Sequence, residues 1–339
     1  MNNQIINDLK EFKQSFELSK ELNHSNILIT GATGLIGSTL VRCLLALDED
    51  IEITCPVRNI DKAKSMYRES FDRVIFVESD LMSYLNGLSP TDYFQYIIHC
   101  ASPTTGKFMV EHPVETFTLA IESTQAILEH ARKTESRGVV YVSSLEYYGE
   151  NNNDATITEG FQGFVDTTSP RSSYPLGKRA AEYLCASYAQ EYGVNVKIAR
   201  LTQTFGAGVS PDDNRVFAQF ARSVINGTDI VMHTKGESAK PYCYTTDCAS
   251  AIFTILLKGA NGEAYNVANQ DTYISIRELA EFLRDNFNPN IKVIIDEHPE
   301  MGYAPVTKLN LSANKLLGLG WKPVNGLKDM FAKLITTII

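Results

Sequence analysis

This chain carries no excess of positive charge. Its formal net charge is −9 across 339 residues. Such a balance makes it a poor general binder of nucleic acid, which needs a basic face to release counterions. A local basic pocket could still hold an anion. Paired cysteines are missing as well. Cys43, Cys55, Cys100, Cys185, Cys243 and Cys248 form no Cys-x-x-Cys, and several lie in apolar runs. That pattern predicts reduced, mostly buried thiols in a cytoplasmic protein rather than a disulfide framework. The six histidines show no metal-ligand spacing with one another or with the cysteines, so no metal is expected. No apolar run reaches the length that crosses a bilayer, and no membrane partner is expected. The first 26 residues are polar and mixed in charge, unlike a secretion signal. Within them Ile5, Ile6, Leu9, Phe12, Phe16 and Leu18 recur near helical spacing. Residues 1–25 therefore read as an amphipathic helical extension.

What remains is an ordinary globular composition, 44% hydrophobic and 21% charged, with strands and helices in alternation. Asn26 to Thr30 is a short apolar strand. Gly31-Ala32-Thr33-Gly34-Leu35-Ile36-Gly37 follows at once, and Leu40, Val41, Leu44 and Leu45 mark a helix. Glycines between a strand and a helix let the backbone turn tightly and approach a pyrophosphate at the helix N-terminus. In this context Gly31, Thr33, Gly34, Leu35, Ile36 and Gly37 are a dinucleotide fingerprint. Further strands read at 51–55, 74–77, 96–100, 138–144 and 194–199. The second ends without the acidic residue that an NAD ribose prefers. Arg58 stands there instead, either to meet the 2′-phosphate of NADP or as a solvated surface charge. Asp80, with Leu81 after it, accepts from an adenine amine or caps the next helix. Ala101 and Ser102 form a small-residue loop where a ring can pack close to backbone. His99 in its apolar strand reads as a core residue.

The fifth strand ends in Ser143-Ser144, where open α/β sheets place their ligands. Glu146 follows. Asn151 to Ser169 reads as a polar loop over the site. Tyr174 and Lys178 then stand four apart at the start of a helix that runs to about Glu191. Positions i and i+4 share one helix face. A phenol and an ammonium so placed make an acid–base pair. Free tyrosine has a pKa of about 10, and lowering it to about 7 needs roughly 4 kcal/mol. One cation about 4 Å away supplies that much at an effective dielectric near 20. Lys178 is the expected source. Beyond residue 206 the alternation weakens. The expected fold is therefore α/β: a Rossmann-type, doubly wound parallel sheet over 26–206, then a smaller C-terminal α/β substrate lobe over 207–339.

The glycine motif, Ser144, Tyr174 and Lys178 together resemble the extended short-chain dehydrogenases/reductases, in particular their nucleotide-sugar epimerase/dehydratase family. Ser143 to Gly149 is similar to the family's Ser-Ser-x-x-Val-Tyr-Gly, and Lys240 to Asp247 to its Arg-x-Phe-x-Tyr-Val-x-Asp. Leu316 to Pro323 resembles its Leu-Gly-Trp-x-Pro. UDP-glucuronate decarboxylases look most alike, through Pro170-Arg171 to Lys178-Arg179, through Glu159, Gly163 and Val165, and through Glu146. The chain departs from the pattern at Gln203 (usually Asn), at Lys240 (usually Arg) and at Ala120 (usually Asn).

The resemblance implies bound NAD, or NADP, and a nucleotide-sugar substrate oxidised at C4, leading to decarboxylation, 4,6-dehydration or 4-epimerisation. It makes Tyr174 the base, Ser144 its hydrogen-bonding partner with Ser143 as substitute, and Glu146 a further catalyst or a mere loop carboxylate. Arg171, Gln203, Arg215 and Lys240 are the candidates for sugar and diphosphate. It also implies a homodimer built on helices 116–132 and 175–191. The alternatives are an NADPH-dependent carbonyl reductase, which consumes its cofactor stoichiometrically, and a catalytically silent nucleotide-binding protein.

Overall fold

Apolar segments of four to seven residues become strands, and the amphipathic segments between them become helices. The computed structural model describes residues 2–103, 105–298 and 305–338. Helix α1 (Asn3–Ser15) leads to strand β1 (Ser25–Thr30), and α2 (Leu35–Ala46) follows the glycine turn. Then come β2 (Ile51–Val57), α3 (Ile60–Tyr67), β3 (Ile75–Glu78), α4 (Leu81–Gly87) and β4 (Tyr96–His99). Helices α5 (Gly106–Glu111) and α6 (Pro113–Thr134) precede β5 (Gly138–Ser144) and β6 (Thr156–Ile157). Next are α7 (Ser173–Tyr192), β7 (Val196–Leu201) and β8 (Gln203–Phe205). Helix α8 (Val216–Asn226), β9 (Ile230–Met232), β10 (Ala239–Tyr244), α9 (Thr245–Lys258) and β11 (Ala264–Val267) follow. The chain continues through β12 (Asn269–Ser275), α10 (Ile276–Phe287) and β13 (Val293–Ile295). It finishes with β14 (Asn310–Leu311), α11 (Asn314–Leu317) and α12 (Leu327–Ile335).

Seven strands make one sheet in the order β11-β7-β5-β4-β1-β2-β3. Every pairing in it is parallel. A parallel sheet must be covered on both faces. Ile27 and Ile29 join the apolar cluster that holds Leu40, Leu44, Ile252 and Phe253. Leu28 points the other way, into the cluster of Ile97, Ile127, Val139 and Cys185. This is the period-two alternation of a strand. The strand order reverses between β1 and β4, so a crevice opens at the C-terminal ends of these two strands. All seven strands point the same way. The residues after β1, β2, β3, β4 and β5 therefore share one rim.

The fading alternation beyond residue 206 hides a return to this sheet. Helix α9 packs beneath it, and β11 pairs with β7 from Ala264↔Ile198 to Val267↔Leu201. Four residues with a buried asparagine among them give almost no strand pattern. Asn266 is tolerated because its amide oxygen accepts from the Tyr148 hydroxyl and its amide donates to the Ser312 carbonyl. The other strands form smaller sheets: β12-β10-β8, β13-β9 and β14-β6. A second apolar cluster, with Phe205, Phe217, Leu283 and Phe331, lies among them. The polar stretch 151–169 is more than a loop. Its β6 pairs with β14, and Asn151 donates to the Lys308 carbonyl.

Helix α1 packs on the body of the protein. Phe12 stacks on Phe16, with ring centroids 5.1 Å apart, and both meet Phe253. Its buried Asp8 accepts from the Tyr244 hydroxyl at 2.6 Å and pairs with Lys333 at 3.3 Å. The six cysteines are free, and five of them are buried. Among the described residues, no helix is long and apolar enough to cross a membrane.

Candidate active site

The glycine turn is a cradle that any side chain would fill. Gly31 has φ +75°, and a Cβ there would stand 2.9 Å from the Ala101 backbone nitrogen. A Cβ on Gly37 would stand 2.3 Å from the Gly31 carbonyl oxygen. The turn is closed by Gly34 N–H donating to the Gly31 carbonyl at 2.9 Å. Helix α2 then begins with its free N–H groups facing the rim, which suits a pyrophosphate. The loop after β4 lies against this turn, and Ala101 N–H donates to the Thr30 hydroxyl at 3.2 Å. The glycine spacing, the helix N-terminus and the tight Ala101–Ser102 loop thus fit a dinucleotide.

The flanking candidates divide. Arg58 is exposed just past β2 and makes no hydrogen bond or ion pair among the described residues. Asp80 is the N-cap of α4. Its Oδ1 accepts from Ser83 N–H at 2.9 Å, and Ser83's hydrogen bonds hold its carboxyl below the usual range. This is the capping role that the sequence offered for it. Leu81, the first residue of that helix, is half-buried. His99 is a core residue. Its ring nitrogens meet the Thr30 hydroxyl at 2.7 Å and the Ser123 hydroxyl at 3.0 Å, and burial drives its pKa down to about 3.

Helix α7 delivers Tyr174 and Lys178 to the end of β5. Pro175 sits in the first turn, where no internal hydrogen bond is lost. Ser173 ties that turn down by donating to the Met109 carbonyl. A Cβ on Gly177 would lie 3.2 Å from the Ala120 Cβ, so α6 and α7 cross closely at two small residues. Lys178 is buried. Its ammonium donates to the Val142 carbonyl at 2.9 Å and lies 4.8 Å from the Tyr141 ring centroid and 5.5 Å from that of Tyr174. Burial lowers its pKa to about 8, against the pull of Glu182.

Lys178 is expected to lower the Tyr174 pKa together with an oxidised nicotinamide, and the protein's own groups set the starting point. The phenol's pKa is raised, first by burial and then by the Glu146 carboxylate. The Ser144 hydroxyl, as a hydrogen-bonding neighbour, and Arg171 work in the opposite direction. The lysine's charge is turned toward a carbonyl and a second ring, and desolvation outweighs it.

The two serines separate cleanly. Ser143 is buried and donates to Glu182 at 2.5 Å, which removes it as a substitute catalyst. Ser144 points to the Tyr174 side and accepts from Glu146 N–H at 3.2 Å. Behind them Glu182 and Arg200 form a buried ion pair at 2.7 Å. Arg200 also donates to the Tyr148 hydroxyl and the Glu159 carbonyl, and lies 3.4 Å from the Tyr147 ring centroid. These two positioning residues were missed in the sequence. The signal available was Arg200 itself, a charge following the predicted strand Val194 to Ala199. Glu159 and Gly163 serve structure too: Glu159 accepts from Asn266 N–H, and Gly163's carbonyl accepts from Arg179.

Glu146 and Arg171 meet as an ion pair, at 2.9 Å to Oε1 and 2.8 Å to Oε2. Both are partly exposed, so the pair is worth at most about 1 kcal/mol and opens readily. Lys240, in β10, makes no hydrogen bond or ion pair among the described residues. Burial lowers its pKa, Glu146 raises it and Arg215 lowers it further, so Lys240 and Glu146 share one electrostatic neighbourhood. Gln203, on the adjoining β8, pairs in register with Tyr242. Arg215 is paired locally. Both carboxylate oxygens of Asp213 hold it, at 3.0 and 2.5 Å.

One stability consequence follows from Lys178. Its folded pKa lies below the ordinary 10.5, so the unfolded chain binds the extra proton between about 8 and 10.5. Folding therefore carries the full cost of the buried cation below pH 8, and that cost lifts as pH rises toward 10.5. Lys178→Met is expected to raise the thermal midpoint at pH 7, with the gain shrinking above pH 8. Melting curves of both proteins across pH 6–10 check this.

The sequence pattern of the "NAD dependent epimerase/dehydratase family" matches residues 27–268. UDP-glucuronic acid decarboxylase 5 of Arabidopsis thaliana is 28% identical over 316 residues, 91% of this chain and 87% of that protein. UDP-glucuronic acid decarboxylase 1 of Xenopus tropicalis is 25% identical over 98% of this chain and 79% of its own length. Among solved structures, the UDP-glucose 4-epimerase of Thermotoga maritima with UDP-glucose has a TM-score of 0.79 at 20% identity, over 92% of this chain and 98% of that one. The dTDP-glucose 4,6-dehydratase of Bacillus anthracis in complex with NAD has a TM-score of 0.75 at 20% identity, over 92% and 96%. The parallel sheet, its glycine cradle and a family match over most of the chain agree, and the chain belongs to the NAD dependent epimerase/dehydratase family.

Proposed function

We propose that this chain is a nucleotide-sugar decarboxylase, acting on a UDP-linked hexuronate after oxidation at C4. The observation that carries this reading is the grouping of Ser144, Tyr174 and Lys178 at one strand end with Lys240, a cation with no ion-pair partner among the described residues, near Glu146. A hexuronate brings both a carboxylate and a diphosphate that need such a cation. The decarboxylase relatives support the substrate class.

The oxidised dinucleotide, when bound, supplies the hydride acceptor and a positive charge near the phenol. Tyr174 takes the C4 hydroxyl proton as hydride leaves carbon, while Ser144 hydrogen-bonds the same oxygen. The resulting ketone is β to the C6 carboxylate. The C5–C6 bond then breaks, its electron pair passes into the C4 carbonyl system, and carbon dioxide departs. Glu146 orients the carboxylate or moves the proton at C5. Arg171 is released to the substrate as its weak pair with Glu146 opens. Tyr174 returns its proton when C4 is reduced again, so the cofactor ends unchanged. Lysine at 240 keeps the charge of the usual arginine but not its bidentate fork. Reduction of a free carbonyl compound would instead consume NADPH, and Arg58 is the only residue that favours it.

We also propose a homodimer through α6 and α7. These helices pack on each other yet leave Val114 78% and Tyr183 73% exposed, with Phe117 also exposed. Such apolar exposure marks an association surface. Sedimentation equilibrium is expected to give twice the chain mass, and a monomer at all concentrations removes this part.

Incubation with UDP-glucuronate is expected to yield a UDP-pentose and carbon dioxide by mass spectrometry, with no net change at 340 nm. Tyr174→Phe is expected to lower turnover by at least about a thousandfold. No conversion of UDP-glucuronate by the wild-type protein would sink the proposal. Water loss or an isobaric product from UDP-glucose would move the assignment to dehydration or epimerisation.

The Glu146 charge raises the Tyr174 pKa. Glu146→Gln is therefore expected to shift the acid limb of the kcat/KM profile to lower pH. A profile that stays in place, at whatever rate, separates Glu146 from Tyr174.

A further inference from the structure

The geometry points to a divalent transition-metal site built by His233, Asp296 and His298. One donor atom from each of these side chains lies within 4.8 Å of the other two. Two imidazoles and one carboxylate are a donor set that suits Zn²⁺, with Co²⁺ and Ni²⁺ as close chemical substitutes. Together they bring one negative charge to a doubly charged ion.

The backbone holds these residues together. Strands β9 and β13 pair in parallel through Met232↔Ile295. The pairing continues past the strand ends, with Asp296 N–H donating to the Met232 carbonyl at 2.8 Å and His298 N–H to the His233 carbonyl at 3.1 Å. The i, i+2 spacing of Asp296 and His298 puts both on one face of the extended chain, and His233 comes from the neighbouring strand. His233 Nδ1 lies 3.2 Å from the Asp296 carbonyl oxygen. With Nδ1 donating there, Nε2 keeps its lone pair. Metal-bound histidines are oriented in this way by a carbonyl on the second nitrogen.

The separations are also suitable. Ligands on a tetrahedral Zn²⁺ stand about 3.4 Å apart. His298 Nε2 and Asp296 Oδ2 are already 3.2 Å apart. The two histidine rings have centroids 5.2 Å apart at 60°, so both can turn a nitrogen toward one point. Two of the three are exposed and the third is half-buried, so solvent can complete the coordination. A bound ion would cross-link two three-residue edge strands next to the turn that leads into β10.

The test uses the full chain freed of metal with a chelator. Zn²⁺ titrated calorimetrically is expected to fill one saturable site and to raise the thermal midpoint. Co²⁺ is expected to give a visible absorption band at the same stoichiometry. His233→Ala and His298→Ala should each weaken Zn²⁺ binding by at least about tenfold and remove the Co²⁺ band. Asp296→Asn, the mildest change, should weaken it less. Calorimetry and the Co²⁺ band read metal binding without any turnover, so failure of the metal site is distinguished from failure of the proposed reaction. Absence of saturable binding by the wild-type chain overturns the proposal. So does unchanged binding in variants whose metal-free midpoint matches the wild type, since a thiol or another group would then hold the ion.

Discussion

A single buried ion pair aligns the chemistry of this protein. Glu182 lies one helical turn beyond Lys178 on α7, and Arg200 lies in β7. Their contact fixes the helix that bears Tyr174 against the strand beside β5. The same carboxylate accepts from Ser143, and the same guanidinium reaches Tyr148 and the Glu159 carbonyl. The strand end, the turn after it and the loop at 159 are thereby referred to one charge pair. Removing one partner of such a pair typically costs about 3–5 kcal/mol, because the other is left charged and unsolvated. Here the pair does more than stabilise. It decides which of two adjacent serines is free.

The reacting groups sit at an uncomfortable electrostatic balance. Lys178 is cationic at a price in desolvation, and Tyr174 is held protonated by burial and by Glu146. A site at rest in this state is poor at taking protons. In the proposed reaction, positive charge at the rim and cations beside Glu146 would shift this balance toward the phenolate. Strain of this kind is common where function and stability draw on the same residues.

Much of this was legible in the sequence, and the parts that were not share a cause. Gly31, Gly34 and Gly37 are local signals, since a tight turn and a close approach are set by neighbouring residues. Tyr174 and Lys178 are likewise readable, because helical periodicity alone puts them together. The pairing of Glu146 with Arg171 is not, as it depends on how a turn and a helix start meet in space. Ser143 and Ser144 are chemically identical and differ only in which side of the strand end each faces. The local pairing of Arg215 with Asp213 was hidden because an aspartate is acceptable in any loop. Strand β11 escaped because four residues with a central asparagine carry too little pattern to be distinguished from coil.

That late strand also bears on how the chain comes to be folded. Until Ala264–Val267 has been synthesised, β7 is the outer strand of the sheet, with a row of unpaired peptide groups along it. The intervening segment builds β8, α8, β9, β10 and α9 first. A growing chain therefore exposes an apolar sheet edge for the time needed to make some sixty residues, a period of about 3–12 s at ordinary elongation rates. An open edge is a template for pairing with other chains. The charges of Lys197 and Arg200 along β7, both buried once folding is complete, stand on that edge while it is open. Charged side chains on an edge strand are one of the features that discourage such pairing.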